Sequence, residues 1–477
     1  MTQSVDALPS SFRDPSGFVF EHAGRIYRQV NAGYSEQFER FLSSGLHDAL
    51  VKKGYLIPHE DVTDADIPHG SDCYRLLEPQ AIPYISYPYE WSFSQLKDAA
   101  MLTLRIQTVA LKHGFVLKDA SAYNIQFNQG KPIFIDTLSF EPYEEGVPWV
   151  AYCQFCQHFL APLALMARVD INLGRLLTTH IDGVPLSLAS RLLPFNTRFN
   201  YGLQTHIHLH AKMQKTHADA AASKADVTET STAKSRSRLS HTGLQAIVEG
   251  LASAVRRLTW NPPRTEWGDY YDSTNYSDDS ASEKRRLVDQ YLDAIDQPLG
   301  VVHDLGANTG DFSRIAAIHS ELVISQDIDP VAVERNYLEL QKEEPKNILP
   351  LRQDLFAPSP AIGWGNEERE SFRQRAGCDA ILALALVHHL AISNNTPLTK
   401  IAELFAELAG WLIIEFVPKT DSQVERLLHT RDDVFPSYHQ QGFEDAFSQF
   451  YSIVRSDAVA GSDRRLYLMR ALNNEPV

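Results

Sequence analysis

The stretch DLGANTGDFSRIA, residues 304–316, decides the fold of the C-terminal half of this 477-residue chain. The three residues before it, VVH, are apolar or neutral and favour extended backbone, which predicts a buried strand that ends at Asp304. Apolar side chains then recur at helical spacing from Phe312, so a helix should begin near Asp311. A strand, a glycine-containing turn and a helix in this order form a unit that binds nucleotides at a helix N-terminus.

The composition of the turn favours S-adenosylmethionine (SAM) over a dinucleotide. In GANTG the glycines Gly306 and Gly310 are first and fifth, and Asn308 stands where the dinucleotide motif has its middle glycine. A pyrophosphate must approach the backbone closely at that position, and the Asn side chain obstructs it. SAM carries no phosphate, and Asp304 would repel a pyrophosphate but attract the methionine ammonium. We therefore expect SAM to contact these four residues.

Further carboxylates stand at the ends of the next two predicted strands. Asp327 ends the strand LVISQD, seventeen residues after Gly310, and could accept hydrogen bonds from both ribose hydroxyls, with Asp329 as the alternative. Asp354, followed by Leu355, ends the third strand and could accept a hydrogen bond from the adenine amino group. Ligands of such sheets bind at the carboxyl ends of the strands. The competing interpretation of each carboxylate is structural, as a helix cap or a turn residue.

A helical pattern at residues 367–375 precedes the fourth predicted strand, at residues 380–387. This strand ends in LALVHHLAISNN and should bring Leu384, His388 and His389 to the sulfonium side of the cofactor. Methyl transfer is an in-line displacement at the sulfonium carbon, and positioning alone supplies much of its rate. A hydroxyl or amine acceptor also needs a base, and a neutral imidazole is available at pH 7, so either histidine is the expected base. Glu415 could join the pair as a metal ligand, but we expect no metal.

DLGANTG, SQDID, RQDL and ALALVHHLA occur in this order at strand ends, and together they resemble the successive motifs of class I SAM-dependent methyltransferases. The resemblance covers residues 269–477. It implies an α/β fold with a seven-stranded, doubly wound, Rossmann-like sheet, whose last two strands are a hairpin in the runs FYSIV and RLYLMRAL. It also implies that the aromatic leader at residues 265–279, with Tyr270, Tyr271 and Tyr276, folds over the cofactor. A leader packed on the sheet edge is the alternative.

The N-terminal half carries a second pattern in GFVLKDASAYNIQFNQGKPIFIDTLSF, residues 114–140. Asp119 and Asn124 are five positions apart, and Asp136 ends the predicted strand PIFID twelve residues later. Preceded by a long helical pattern, this stretch resembles the catalytic loop and metal-binding aspartate of protein kinases and of aminoglycoside-phosphotransferase-like kinases. The resemblance implies an α+β kinase-like domain in which Asp119 is the base and the other two residues hold Mg²⁺ on ATP.

The N-terminal pattern departs from the kinase motifs. The loop begins LKD without a His, and the hairpin-like stretch FVFEHAGRIYRQV has no run of glycines. Arg28 stands where a strand lysine is expected, with Glu36 or Glu39 as its partner, and arginine hydrogen-bonds differently from lysine. We therefore expect a scaffold for substrate binding or regulation, with Mg-ATP turnover as the alternative.

Cysteine content and apolar runs indicate the compartment. Four cysteines in 477 residues do not form a disulfide framework. Cys153, Cys156 and His158 lie together in CQFCQH, but zinc needs a fourth ligand and no second Cys pair exists, so buried thiols in a helix are expected. The start of the chain has no signal-peptide pattern, and FLAPLALMA is too short to span a bilayer. We expect a cytoplasmic protein without a membrane span.

Net charge and composition indicate the partners and the domains. A formal net charge of −16 argues against a nucleic-acid partner, because phosphate binding relies on clustered Lys and Arg. Residues 217–243 are rich in Ala, Ser, Thr and Lys and lack aromatic residues, which is typical of a linker. The predicted division is a kinase-like domain at 1–215, a linker at 216–245 and a methyltransferase domain at 246–477.

FRDPSGFVF and LKDASAYNIQF resemble a bacterial group that includes rhizobial host-specific nodulation proteins. The resemblance implies a bacterial protein and a carbohydrate or glycolipid acceptor. We expect SAM-dependent methylation of a hydroxyl or amine on a small-molecule or carbohydrate/glycolipid acceptor, with the N-terminal domain as a substrate-binding or regulatory module. The alternatives are a small-molecule kinase whose C-terminal domain senses SAM and a non-catalytic SAM-binding protein. The oligomeric state stays open.

Overall fold

A computed structural model describes residues 5–64, 67–213, 239–263, 278–429 and 432–472. The chain divides into two compact units by its internal contacts. The N-terminal unit comprises Met1–Asn261 and Ala361–Arg369, and the C-terminal unit comprises Pro262–Pro360 and Glu370–Val477. Among the helices in the described ranges, none is long and apolar enough to cross a membrane.

The N-terminal unit begins with a four-stranded antiparallel sheet of order β1-β2-β4-β3. Its strands are β1 (Gly17–His22), β2 (Arg25–Asn31), β3 (His59–Asp61) and β4 (Cys73–Pro79). The rings of Phe20 and Tyr27 stack across the first pair with their centroids 5.6 Å apart. The hairpin expected in FVFEHAGRIYRQV is therefore present, and both of these rings are buried.

Two short antiparallel pairs carry the N-terminal candidate residues. They are β5 (Phe115–Leu117) with β8 (Phe140–Pro142), and β6 (Ile125–Asn128) with β7 (Lys131–Phe134). The turn between β6 and β7 has positive φ at Gln129 and Gly130, the turn type whose twist matches a tight hairpin. The 20-residue helix Phe93–Lys112 precedes these strands, and a capping box of Ser92 and Gln95 begins it.

The remaining helical segments of the N-terminal unit surround this long helix. They are Ser35–Ser43, Leu46–Lys52, Tyr152–Phe155, Cys156–Leu160, Ala161–Arg168, Leu176–Thr179, Leu186–Leu192, Tyr201–Leu203, Gln204–Leu209 and His241–Arg257. The helix His241–Arg257 begins in the predicted linker, residues 216–245, and continues into the predicted methyltransferase domain, residues 246–477. Its C-terminal end is held in the N-terminal unit, because Lys97 Nζ donates to the carbonyls of Arg256 and Leu258 at 3.1 and 2.8 Å. Most of the predicted linker lies outside the described residues.

The C-terminal unit contains the seven-stranded sheet that the sequence predicted. Its strands are β9 (Leu299–Leu305), β10 (Ser320–Asp327), β11 (Ile348–Arg352), β12 (Cys378–Ala383), β13 (Ala409–Phe416), β14 (Tyr451–Ala458) and β15 (Arg465–Ala471). The order is β11-β10-β9-β12-β13-β15-β14. The first five strands run parallel, and β15 and β14 form the antiparallel terminal hairpin.

Helices cover both faces of this sheet over two apolar cores. They are Asp278–Asp293, Asp311–His319, Pro330–Leu340, Phe372–Arg375, His389–Ser393, Leu398–Leu408, Ser422–His429 and Gln440–Phe447. The strand order reverses between β9 and β12, and such a reversal opens a crevice at the carboxyl ends of the strands.

Two predicted elements of this half differ in the structure. The fourth strand was predicted to reach residue 387, but β12 ends at Ala383 and an irregular segment with positive φ at Ala385 follows it. A helix was predicted at residues 367–375, but only Phe372–Arg375 is helical. The reason for the second difference is that Glu368 is buried in the N-terminal unit, where its carboxylate accepts two hydrogen bonds from Arg13.

Candidate functional site

A cavity of about 380 Å³ lies at the carboxyl ends of the central parallel strands, beside the reversal of strand order. Nine of the residues that the sequence predicted line it: Asp304, Gly306, Asn308, Asp327, Asp354, Leu355, Leu384, His388 and His389. Gly310 and Asp329 are not among its lining residues. The volume falls within the range of about 300–1,000 Å³ that small-molecule pockets occupy.

The turn after β9 is held to the end of β10 by backbone hydrogen bonds. The amides of Gly306 and Ala307 both donate to the carbonyl of Gln326, at 2.8 and 2.9 Å. Gly306 has φ of 75° and Asn308 has φ of 53°, so the chain turns through the left-handed region twice. Glycine and asparagine tolerate this region best, which explains their places in the motif.

Gly310 shapes the turn and is not among the residues that line the cavity. It precedes the helix Asp311–His319 with φ of 84°. An added Cβ would lie 2.6 Å from the side-chain amide of Asn336 and 2.9 Å from the guanidinium of Arg314. Glycine is required here because the helix packs closely against its neighbours.

Asp304 is buried at the floor of the cavity. Its carboxylate accepts a hydrogen bond from the Ser313 hydroxyl at 2.6 Å, and that hydroxyl also contacts the Ser325 hydroxyl at 2.8 Å. Burial raises the pKa of Asp304 to about 7. A cation that entered the cavity would therefore shift this group to its ionised form.

Asp327 presents a carboxylate whose orientation is set by the backbone. One oxygen accepts from the amide of Asn308 and the other from the amide of Asp329, both at 2.8 Å. Burial raises the pKa of Asp327 to about 6. The carboxylate also lines the cavity, where it can accept hydrogen bonds from a ligand.

Asp329 and Asp354 have structural contacts. Asp329 is the N-cap of the helix Pro330–Leu340 and accepts from the amide of Val331 at 2.8 Å, as the competing structural interpretation predicted. Asp354 lines the cavity but also accepts from the amide of Phe356 at 2.9 Å, so it combines the predicted position with the competing turn role.

Gln353 was missed by the sequence analysis. It is 4% exposed, it lines the cavity, and its amide donates to the carbonyl of Asp327 at 2.9 Å. The signal that could have found it is its position in the same RQDL motif, directly before Asp354.

His388 and His389 lie together in the cavity wall, with ring centroids 4.1 Å apart. His388 is 2% exposed, and its Nδ1 has no hydrogen-bond partner within the described structure. Burial, reinforced by the neighbouring ring, lowers the pKa of His388 well below its usual value. Burial and then Arg464 lower the pKa of His389 to about 4. Both rings are therefore neutral at pH 7.

Glu415 is a structural anion and not a partner of the histidines in metal binding. It is fully buried, and one carboxylate oxygen accepts from Lys284 Nζ at 2.7 Å and from the amide of Ala385 at 2.8 Å. Arg464 lies 3.9 Å from the other oxygen. Across the described ranges no group of three or more His, Cys, Asp or Glu could hold a metal ion.

Lys284 is a second cavity residue that the sequence did not indicate. It lies in the helix Asp278–Asp293, where its ammonium sits 4.8 Å from the centroid of the Phe312 ring. Burial lowers its pKa, although Glu415 opposes this. A single lysine in a polar helix resembles any solvated lysine, so sequence pattern offered no signal for it.

Two of the three N-terminal candidates, Asn124 and Asp136, contact the Ser139 hydroxyl, and the third, Asp119, accepts a hydrogen bond from the Asn124 side chain. Asp136 accepts from Arg28 Nη1 at 2.5 Å and from the hydroxyl of Ser139, which also contacts the amide of Asn124 at 3.4 Å. Although burial raises the pKa of Asp136, the Arg28 guanidinium holds it below its usual value. Asp119 accepts from the amide of Ser121 at 2.7 Å, and burial raises its pKa.

Arg28 therefore has a different partner from the predicted one. It pairs with Asp136, whereas Glu39 accepts from Arg75 at 2.7 Å and from the hydroxyl of Tyr74 at 2.9 Å. The reason is topological, because β2 passes over the loop that carries Asp136. The Arg28 guanidinium forms an ion pair with Asp136, the carboxylate that would have to ligate Mg²⁺ in a kinase.

The remaining sequence candidates are settled by burial or lie outside the description. Cys156 is fully buried and His158 is 2% exposed, and burial raises the pKa of the Cys156 thiol, which is typical of an inert core cysteine. The tyrosines of the aromatic leader, Tyr270, Tyr271 and Tyr276, lie outside the described residues.

Comparison with solved structures gives only weak likenesses, and no family model matches the chain. N-methyltransferase NodS from Bradyrhizobium japonicum WM9 is 14% identical and has a TM-score of 0.31, with 41% of this chain and 99% of that chain covered. Magnesium protoporphyrin IX methyltransferase (ChlM) from Synechocystis PCC 6803 is 17% identical with a TM-score of 0.30, covering 43% of this chain and 93% of that chain.

A sequence relative covers nearly the whole chain. Nodulation protein NoeA of Rhizobium meliloti (strain 1021) is 37% identical over 468 residues, which are 96% of this chain and 95% of that protein. Both units and the segment between them fall within this match. The resemblance that FRDPSGFVF and LKDASAYNIQF indicated is confirmed, and the chain belongs to the family of nodulation protein NoeA.

Proposed function

We propose that the C-terminal unit is a SAM-dependent methyltransferase. The observation that carries this proposal is the pair of buried carboxylates, Asp304 and Asp327, at the ends of adjacent parallel strands in one cavity. Their environments suit different parts of one ligand. Asp304, with its raised pKa, suits an ammonium, and Asp327, with two oriented oxygens, suits a pair of ribose hydroxyls.

The residues of the cavity support the expected chemistry. When bound, SAM supplies a methyl group on a sulfonium, ready for displacement by an acceptor. Asp304 and Asp327 would hold the two ends of the cofactor, and Asp354, Gln353 and Leu355 would surround the adenine. His388 or His389, neutral at pH 7, would accept the proton that a hydroxyl or amine acceptor releases as the new bond to carbon forms.

The acceptor belongs to the same proposal. We assign it to small molecules, carbohydrates or glycolipids that carry a hydroxyl or an amine. Support comes from the net charge of −16, which disfavours polyanions, and from a relative named as a nodulation protein. The N-terminal unit would serve substrate binding or regulation.

A small-molecule kinase is the second candidate, favoured by one observation. Asn124 and Asp136 both contact the Ser139 hydroxyl, and Asp119 accepts a hydrogen bond from the Asn124 side chain, so the three lie together as a kinase-like site requires. Against it, Asp136 is already paired with Arg28 at 2.5 Å, and a free carboxylate is needed to bind Mg²⁺. We therefore rank this activity second, ahead of a non-catalytic SAM-binding protein.

Transfer of a labelled methyl group tests the proposal directly. The full chain is incubated with methyl-labelled SAM and with oligosaccharide, glycolipid and small-amine acceptors, and label in the acceptor is measured. We expect transfer to at least one acceptor, with a rate about 10²–10⁴-fold lower in His388→Ala or His389→Ala at unchanged SAM affinity. SAM binding without transfer to any acceptor would favour the non-catalytic alternative, and absence of SAM binding would refute the proposal.

A further inference from the structure

A surface of the N-terminal unit differs in charge from the rest of the chain. The chain has 60 acidic residues in 477, about one in eight, yet residues 183–218 contain no Asp or Glu. Within the described part of this stretch stand Arg191, Arg198 and Lys212. In a protein of net charge −16, this stretch therefore carries basic side chains and no acidic ones.

The same surface exposes aromatic rings. Phe195, Phe199 and Tyr201 are 71%, 81% and 80% exposed, three rings within seven residues. The rings of Phe195 and Phe199 meet edge to face at 5.8 Å, and the guanidinium of Arg198 lies 5.6 Å from the Phe195 centroid. Leu192 is also exposed, at 41%. We call these five residues the basic–aromatic surface.

The exposed rings stand on a firmly held turn. His208 is buried between the turn Phe195–Phe199 and the helix Leu186–Leu192, with Nε2 2.9 Å from the Thr197 hydroxyl and Nδ1 2.8 Å from the Ser190 hydroxyl. The Thr197 hydroxyl donates to the carbonyl of Pro194 at 2.6 Å, so it accepts from Nε2–H, and Ser190 donates to Nδ1. The imidazole thus ties the turn to the helix, and the rings project from an ordered support.

Aromatic rings, leucine and arginine on one face are the composition of surfaces that lie in a membrane interface. The rings enter the headgroup layer, and the guanidinium groups contact anionic lipid phosphates. A nucleic acid would require many more cations than these. We propose that the basic–aromatic surface docks the protein on an anionic lipid bilayer. This inference concerns the N-terminal unit and does not depend on the proposed methyl transfer.

Co-sedimentation with vesicles tests the docking surface. The full chain is mixed with vesicles of phosphatidylcholine, with and without phosphatidylglycerol, at low and high salt. We expect binding to the phosphatidylglycerol vesicles that weakens as salt rises. In Phe195→Ser/Phe199→Ser binding should fall at least tenfold, and in Arg191→Gln/Arg198→Gln about fivefold for each charge removed. All four positions are exposed, and unchanged thermal unfolding checks that the variants fold.

A matched control uses two other exposed aromatic residues of the same unit. Phe12 and Trp364 are 51% and 78% exposed, and Phe12→Ser/Trp364→Ser should bind vesicles like the wild type. The proposal fails if the wild type binds neither vesicle, if it binds both equally, or if the control pair loses as much binding as the Phe195/Phe199 pair. It also fails if sedimentation shows a dimer that only the Phe195/Phe199 variant dissociates, because the surface would then bind a second copy.

Discussion

Asp304 and Asp327 are the residues at which burial and function conflict most. Both carboxylates face the cavity while almost fully buried, and burial raises their pKa values to about 7 and about 6. Buried carboxyl groups whose pKa values lie near 7 at a concave site are typical of binding and catalytic sites. The reason is that burying such a group costs free energy that the fold does not recover. Asp329, only two residues from Asp327, has an ordinary capping contact.

The raised pKa of Asp304 predicts a specific pH dependence of stability. A carboxyl with a folded pKa above its unfolded value stabilises the fold while protonated and loses that contribution as pH rises through the folded pKa. Buried histidines such as His388 and His303, whose pKa values are lowered, have the opposite effect on stability, because they destabilise the fold as the pH falls. This effect is confined to pH values below about 6.5, the pKa of an unfolded histidine. Asp304→Asn should therefore gain stability relative to the wild type between about pH 6.5 and pH 8.

Thermal unfolding of the SAM-free wild type and of Asp304→Asn across that pH range measures this difference. Asn can still accept the hydrogen bond from Ser313, so the comparison isolates the charge. A constant difference across the range would contradict the pKa assigned to Asp304.

The two neighbouring aspartates predict opposite outcomes for the same substitution. Asp327→Asn removes a charged acceptor from the cavity and should weaken SAM binding at least tenfold, since hydrogen bonds to charged groups contribute about 1.5–3 kcal/mol. Asp329→Asn retains a side chain that caps helices equally well, so affinity and stability should stay near those of the wild type. Calorimetric titration with SAM measures the affinity of both variants. Equal losses in the two variants would refute the ribose assignment to Asp327.

At the scale of elements, one buried charge network joins three parts of the C-terminal unit. Lys284 in the helix Asp278–Asp293 contacts Glu415 at the end of β13, and Glu415 also accepts from Ala385 in the segment after β12. Ala385 has φ of 50°, a conformation that alanine rarely adopts. The network therefore sets the position of the segment that carries His388.

Breaking this network should destabilise the unit strongly. Glu415→Gln leaves the Lys284 ammonium buried beside a neutral group, and we expect the free energy of unfolding to fall by about 3–5 kcal/mol. Lys284→Met/Glu415→Gln removes both charges and should recover most of that loss. Urea denaturation measures both, with Glu403→Gln in the exposed Lys400 pair as the control, expected to change by less than about 1 kcal/mol. Equal effects at Glu415 and Glu403 would contradict the assigned role.

The sequence predicted strands correctly where a run of apolar residues ends at an Asp or at a turn. The parallel strands and the terminal hairpin are apolar runs that end in Asp or in turns, and all of them are present. The prediction was wrong at residues 367–375, whose pattern is helical although only Phe372–Arg375 forms a helix. It was also wrong at residues 384–387, whose pattern is extended although the strand ends at Ala383. Glu368 is drawn into a buried pair with Arg13, and Ala385 into a hydrogen bond with Glu415, and neither partner is close in sequence.

At the scale of the whole molecule, the two units differ in the partners that their candidate aspartates have within the protein. Asp327 lines the C-terminal cavity and accepts hydrogen bonds from backbone amides, whereas the N-terminal Asp136 is paired with the Arg28 guanidinium and with Ser139. The full chain should therefore bind SAM and fail to bind Mg-ATP.

Separate calorimetric titrations with SAM and with Mg-ATP measure this directly. Heat from Mg-ATP that disappears in Asp136→Asn would show a working nucleotide site and make the kinase activity the leading hypothesis for the N-terminal unit. Heat that persists in that variant would place ATP elsewhere and leave the Asp136 assignment without support.

The sequence by itself determined the succession of the C-terminal strands along the chain, the turn DLGANTG and nine of the residues that line the cavity, because each carries a pattern that is visible within a short stretch of residues. It also determined the family, through matching residues along the whole chain. Only the tertiary structure decided that Asp136 is paired with Arg28, that Lys284 and Glu415 are partners, and that residues 361–369 belong to the N-terminal unit. The physical reason is common to all three. A buried charge must find a counter-charge, and the fold, not the sequence spacing, selects which one is near.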